Sequence, residues 1–402
     1  MSFDVDRVRA DFPALQQGVA FFDGPGGTQV PRQVAEAVAT TMTSGISNRG
    51  SVTAAQRRAD AVTLGARAAV ADLLGCDPGG VVFTRSATQA TYDVSRALAK
   101  EWGPGDEVVV TRLDHDSNIR PWVQAAERAG ATVRWVGFDQ RTGELGVEEI
   151  RAALSERTRL VAVTAASNVL GTRPDVTALA EAVHEFGALL YVDGVHLAPH
   201  APVDVAELGA DFFACSPYKF FGPHHGLVVA APGLWERLRP DKLVPSSDAV
   251  PERFELGTLP YELLAGTTAA IDFMAGLAPG DAPEGDRRAR LLASMGAVEE
   301  HEGRVFERLL DGLRGIDAIT LHGDPTRRTP TVFFSVAGRS GDEVQTHLAA
   351  LGVNAPASHF YAIEASRWLG LGDDGAVRAG LAPYTNDDDV DRLLTGVAEL
   401  AR

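Results

Sequence analysis

Two residues able to do chemistry together stand at the ends of two successive apolar runs. Leu-Leu-Tyr-Val at 189–192 delivers Asp193 in the segment Tyr-Val-Asp-Gly-Val-His, and Phe-Phe-Ala-Cys at 212–215 leads into Ser-Pro-Tyr-Lys-Phe-Phe-Gly, which carries Lys219. In an α/β sheet, ligands bind at the carboxyl ends of the strands, so both charged groups are expected on that side. A lysine there, partly neutral through burial, can form an imine with an aldehyde. A carboxylate facing a pyridine nitrogen keeps that nitrogen protonated and makes the ring an electron sink. The pair is what pyridoxal 5′-phosphate (PLP) requires. Taken singly, the aspartate would read as a helix N-cap and the lysine as a solvated loop residue; the joint setting argues against both.

Positioning such groups takes a sheet. Short apolar runs at 81–84, 108–111, 160–164, 189–192, 212–215 and 227–230 alternate with amphipathic helical patterns at 53–74, 120–129 and 176–186. Nearly continuous apolar strands separated by helices predict a mostly parallel sheet covered on both faces, an α/β fold. After about residue 275 the pattern changes: a Pro-, Gly- and acid-rich stretch precedes a long helix at 287–313, a strand at 331–335 and helices at 342–351 and 387–400. The expected division is an N-terminal segment at 1–20 packing with the small domain, a large cofactor-binding domain at 21–275 and a smaller α+β domain at 276–402.

Composition narrows the classes. The chain has 402 residues, 45% hydrophobic and 23% charged, as expected of a globular protein with a sizeable core. Its net charge of -17 argues against nucleic acid or an anionic membrane as the main partner. Cys76 and Cys215 are too few for a disulfide framework, the N-terminus shows no signal-peptide pattern, and no apolar run is long enough to span a bilayer. A cytoplasmic location is expected.

Residues 191–196 and 216–222 resemble the class V aminotransferase family of fold-type I PLP enzymes, and within it the cysteine desulfurase-like members. The likeness runs from Phe-Asp-Gly-Pro-Gly-Gly at 22–27 to Val377-Arg378. It implies that Lys219 is the Schiff-base lysine, that Asp193 faces the ring nitrogen, and that His115 in Leu-Asp-His-Asp-Ser-Asn stacks on the ring. Asn168, in the loop Ser-Asn-Val-Leu-Gly, and His196 would lie near the ring hydroxyl oxygen. Ala87, Thr88 and Ser216 match the phosphate-binding positions, with Tyr218 where close desulfurases carry histidine. Gly257 and Thr258 match a segment that reaches the phosphate of a neighbouring subunit, which implies a homodimer with a shared site. Arg378 matches the arginine that clamps the substrate α-carboxylate, and Asn48 a further substrate-side position.

The likeness also has gaps. In the loop Ala-Ser-His-Phe-Tyr-Ala at 357–362, Tyr361 stands where sulfur-transferring desulfurases carry their cysteine, and a phenol cannot hold a persulfide. Pro356 replaces a substrate-side arginine of the close relatives, and Ala87 replaces a hydroxyl. The resemblance therefore implies a PLP enzyme acting at Cα and Cβ of a small amino acid, by C–S or other β-elimination without persulfide transfer. Epimerisation or racemisation and transamination are alternatives on the same scaffold, and a PLP-fold binding protein without catalysis is an alternative of another class. His224 and His225 invite a metal reading, but adjacent loop side chains diverge and no third ligand follows, so no metal is expected. Gly-Pro-Gly-Gly at 24–27 lacks the ending of a nucleotide-binding loop and reads as a tight turn, which the resemblance implies is a wall of the substrate site.

Overall fold

The computed structural model describes residues 3–278 and 285–401. Thirteen strands occur among them: β1 (Ala20–Phe21), β2 (Val81–Thr84), β3 (Glu107–Thr111), β4 (Thr132–Val136), β5 (Thr158–Thr164), β6 (Leu189–Asp193), β7 (Phe212–Cys215), β8 (Gly226–Val229), β9 (Ile319–Leu321), β10 (Thr331–Val336), β11 (Val353–Asn354), β12 (Ala357–Ser358) and β13 (Ala376–Gly380). The large sheet has seven strands in the order β2-β8-β7-β6-β5-β3-β4, and β8 alone runs antiparallel to its neighbours. A second sheet, β12-β13-β10-β9, is antiparallel, and β1 pairs in parallel with β11.

The chemistry of the strands explains their place. Val108, Val109 and Val110 are fully buried, as befits β-branched residues in a strand covered on both faces. β4 escaped the sequence pattern because it is the sheet edge: Thr132 and Arg134 are exposed and only Val136 is buried. Gly226 has a specific reason. A Cβ there would lie 2.0 Å from the Ser86 carbonyl carbon and 2.1 Å from the Ala87 nitrogen, so the start of the helix Ala87–Leu98 rests directly on β8. Ser86 caps that helix, its hydroxyl accepting from Gln89 N–H at 3.1 Å.

The helix Arg287–Arg314 joins two hydrophobic cores. Its Leu291, Met295 and Val298 pack with the large sheet and its helices, whereas Val305, Phe306, Leu309, Leu310 and Leu313 pack with the small sheet. Both sets recur at helical spacing, and each such side chain contributes about 1.5–3 kcal/mol on burial. The N-terminal segment, expected on the small domain, makes polar contacts with residues of 276–402 and buries its apolar side chains in the large core. Arg9 donates to Tyr384 O at 2.6 Å and pairs with Asp389 at 2.7 Å, while Arg7 donates to Gly276 O and Leu277 O, each at 3.2 Å. Its apolar residues Val8, Phe12 and Leu15 join the large core, since that is where the open apolar surface lies. Among the described residues no helix is long and apolar enough to cross a membrane.

Candidate active site

The carboxyl ends of β2, β3, β5, β6 and β7 open into one cavity of about 880 Å³, walled on the other side by the β12 loop and β13. Asp193 ends β6 and pairs across to Thr164 of β5 and Ala214 of β7, which places it between two buried strands. Its Oδ1 accepts the Val195 N–H at 3.0 Å. Burial pushes its carboxyl up to about 6, while the Val195 N–H and Lys219 pull the other way.

Lys219 closes a single 3₁₀ turn, Pro217–Lys219, held by Lys219 N–H to Ser216 O at 3.0 Å. Proline at the start of that turn fixes the backbone that aims the lysine. The Lys219 ammonium donates to Pro25 O and lies 4.8 Å from the centroid of the Tyr218 ring. Burial brings it down to about 7, helped by the charge of Arg378 and opposed by Asp23 and Asp193. Near neutral pH a large share of this lysine is therefore free amine.

His115 follows β3. Its Nδ1 accepts the Ser117 N–H at 3.1 Å, which assigns the ring proton to Nε2. Burial, then Lys219 and Arg378, push it down to about 3, so it is a neutral imidazole. Behind it Asp114 is wholly buried, bonded by Thr111 Oγ1 and, at 2.7 Å, by Asn118 Nδ2. Asp114 fixes the loop and went unnoticed in the sequence.

Asn168 donates from Nδ2 to Phe360 O at 3.0 Å, and His196 Nε2 bonds Thr331 Oγ1 at 3.0 Å. The other polar atoms of both, Asn168 Oδ1 and His196 Nδ1, are buried without a partner. Ser86, Ala87, Thr88 and Ser216 line the end of the cavity where the helix Ala87–Leu98 begins, and the first-turn N–H groups of a helix have no intrahelical acceptor. Tyr218 lines the wall and stacks on His224, with ring centroids 4.7 Å apart. His225 turns away into the core, bonding Thr267 Oγ1 at 2.6 Å, so the two adjacent histidines do not converge.

Arg378, on β13, is only 2% exposed. Its Nη2 donates to Asp23 Oδ1 at 2.5 Å, its Nη1 to Asn168 O at 3.2 Å, and its Cζ lies 3.7 Å from the Phe360 ring centroid. Tyr361 lines the mouth with its ring 5.5 Å from that of His115, and Asp116 N–H donates to Tyr361 O at 2.7 Å. Asp23 and Phe360 are site residues that sequence reasoning missed. Asp23 lay in view inside Phe-Asp-Gly-Pro-Gly-Gly, a segment whose glycines were read as a turn and wall while the aspartate was given no role. Asn48, Gly257 and Thr258 do not line this cavity; all three are exposed, and Gly257 takes a left-handed φ of 83°.

The model of the family described as Aminotransferase class-V matches residues 20–393. The chain belongs to that family. An uncharacterized protein, MT3887, of Mycobacterium tuberculosis is 38% identical over the whole of both chains. The aminotransferase-like protein FGM3 of Gibberella zeae is 34% identical over 98% of each chain. The apo structure of a cysteine desulfurase from Thermococcus onnurineus NA1 superposes with a TM-score of 0.89 at 25% identity, covering 100% of this chain and 98% of that one. Class V aminotransferases and cysteine desulfurases are PLP-dependent.

The residues present fit that cofactor. Buried polar atoms normally find partners, and the unpartnered Asn168 Oδ1 and His196 Nδ1 sit where a hydrogen-bonding group of the ring would satisfy them. The hydroxyls and N–H groups at the start of Ala87–Leu98 suit a phosphate dianion. A near-neutral lysine and a largely ionised carboxylate at pH 7 complete the set.

Proposed function

We propose that this chain is a PLP-dependent enzyme acting at Cα and Cβ of a small α-amino acid, by C–S or other β-elimination without persulfide transfer. The observation that carries the reading is the convergence of Lys219, Asp193 and Arg378 on one cavity whose mouth bears Tyr361. When bound, PLP supplies an electron sink for the pair left when a bond to Cα breaks. Ser86, Ala87, Thr88 and Ser216 would hold its phosphate, with Tyr218 beside them, and Asn168 and His196 would hold the ring oxygen. His115, neutral and set by Ser117, would support the ring face, and Asp193 would keep the ring nitrogen protonated.

Lys219 Nζ is the group that would hold the cofactor covalently. As a free amine, Lys219 Nζ would take or return the Cα proton, for which a conjugate acid near pH 7 is well matched. Arg378 holds the α-carboxylate and so fixes which Cα bond faces the lysine. Tyr361 faces the substrate side, whereas Asn48, outside this cavity, would reach a substrate only in the site of a second copy. The absence of persulfide chemistry is supported by both thiols: neither Cys76 nor Cys215 lines the cavity, and burial pushes Cys76 up to about 12 and Cys215 up as well. A homodimer is supported by the exposed positions of Asn48, Gly257 and Thr258, beside Leu256 at 60% exposure.

The test is spectroscopic and chemical. Protein loaded with PLP is expected to show a visible cofactor band that Lys219→Ala loses. Cysteine is expected to yield pyruvate and sulfide. Exchange of the Cα proton without elimination would point to epimerisation instead, and a 2-oxo acid retaining the substrate's side chain to transamination. No band after reconstitution would overturn the reading as an enzyme of this class.

A further inference from the structure

Arg378 is covered more completely than a ligand-binding arginine needs to be. Asn168 O and Phe360 occupy one edge and one face of its guanidinium, and its Nε is buried without a partner. The carboxylate paired with it is that of Asp23, 2.5 Å from Nη2, which also lines the cavity with its side chain 33% exposed. The chain builds a turn around this carboxylate. Gly26 and Gly27 both donate N–H to Asp23 O, at 2.9 and 3.0 Å, and Gly380 N–H ties the preceding Phe22 O to β13 at 2.8 Å. A Cβ at Gly26 would come within 2.4 and 2.5 Å of the two carboxylate oxygens, so only glycine leaves Asp23 room.

An internal carboxylate thus already holds the guanidinium edge that an incoming carboxylate needs. We propose that Asp23 is a resident stand-in for the substrate α-carboxylate, capping Arg378 in the free protein and setting the affinity and charge selectivity of the site. The proposal rests on the reading of Arg378 as the carboxylate clamp. Two consequences follow from elementary electrostatics. A buried arginine stripped of its carboxylate partner is an uncompensated charge that another anion can relieve. A further negative charge beside Asp23 is repelled, so amino acids with a side-chain carboxylate are disfavoured against those with a neutral side chain.

The experiment uses PLP-loaded native protein, Asp23→Asn, Asp23→Glu and Arg378→Gln. Thermal midpoints are followed against sodium acetate, with sodium chloride of equal ionic strength as control, and dissociation constants for acetate, L-alanine and L-aspartate are measured by calorimetry. Asp23→Asn is expected to melt lower in chloride, to recover in acetate, and to bind acetate about tenfold more tightly than the native protein. Its preference for L-alanine over L-aspartate is expected to shrink, while Asp23→Glu keeps the native preference. Acetate binding no tighter in Asp23→Asn than in the native protein overturns the proposal, leaving Asp23 only to orient the arginine. Should that variant not be recovered folded, equal affinity of the native protein for L-alanine and L-aspartate overturns it equally. If Arg378→Gln abolishes acetate binding while Asp23→Asn changes nothing, the stand-in role fails and the clamp survives. If Arg378→Gln leaves acetate binding unchanged, the clamp itself fails.

Discussion

Lys219 carries its basicity as a property of its surroundings, and that property is measurable without the cofactor. Its value of about 7 in the folded chain lies below the ordinary 10.5, so the folded protein binds fewer protons than the unfolded one between those two pH values. Stability from this group therefore rises with pH across that window and is lowest below about pH 7, where the buried ammonium is charged. Replacing it by Lys219→Met removes the burden. The gain in thermal midpoint of that variant over the native chain, both without PLP, is expected to be larger at pH 6 than at pH 10; an equal gain at both would refute the depressed basicity. Labelling of the PLP-free protein with an amine reagent is expected to rise through pH 7, and Asp193→Asn to move that rise to lower pH, since Asp193 favours the charged lysine. At this scale the sequence was informative for Asp193 and Lys219, because one ends and the other closely follows a strand whose apolar pattern is plain, while Arg378 was reached only through the family resemblance. Asp23 was not legible as a partner of Arg378: the two lie far apart in the chain, and no local spacing reports their contact.

The elements around the site are held by close approaches rather than by propensity. The start of the helix Ala87–Leu98 touches β8 through the missing side chain of Gly226, and overpacking at such a contact costs about 1–3 kcal/mol. Gly226→Ala is expected to lower stability by about that amount and, by displacing the helix start, to weaken PLP binding at least tenfold more than a distant surface change; calorimetric titration with PLP checks it. The loop after β12 stores strain of another kind. Phe360 and Tyr361 adopt left-handed φ values of 49° and 58°, which cost about 1–2 kcal/mol per non-glycine residue. Asn168 Nδ2 and the Asp116 N–H hold the two carbonyls of this turn. Asn168→Ala is expected to release it, with a loss of about 1 kcal/mol in urea unfolding. The buried strands of the large sheet were readable from their apolar runs, and the edge strand β4 was not. This turn was not, because nothing in His-Phe-Tyr-Ala favours positive φ; the tertiary bonds impose it.

Over the whole molecule, the alternation of apolar runs and amphipathic helices specified the layered sheet, while the sharing of the helix Arg287–Arg314 between two cores depends on packing that no single stretch encodes. The same holds for what the surface leaves uncovered. Leu243, Val244 and Leu256 are 68%, 97% and 60% exposed, and Leu256 adjoins Gly257 and Thr258, which lie outside the cavity of their own chain. A second copy would cover apolar side chains of this kind and bring the hydroxyl of Thr258 to the phosphate site proposed at Ser86, Ala87, Thr88 and Ser216. The chain's net charge of -17 opposes such pairing through like-charge repulsion, which salt screens. Sedimentation at moderate salt is therefore expected to show a dimer that loosens as ionic strength falls. Leu256→Asp, which adds charge to the surface that must be buried, is expected to give monomers with an unaltered far-ultraviolet spectrum and a PLP affinity lower by about tenfold or more. Thr258→Ala is expected to remain dimeric while losing part of the same affinity. Monomers that bind PLP as tightly as the native protein would place Thr258 outside the cofactor site.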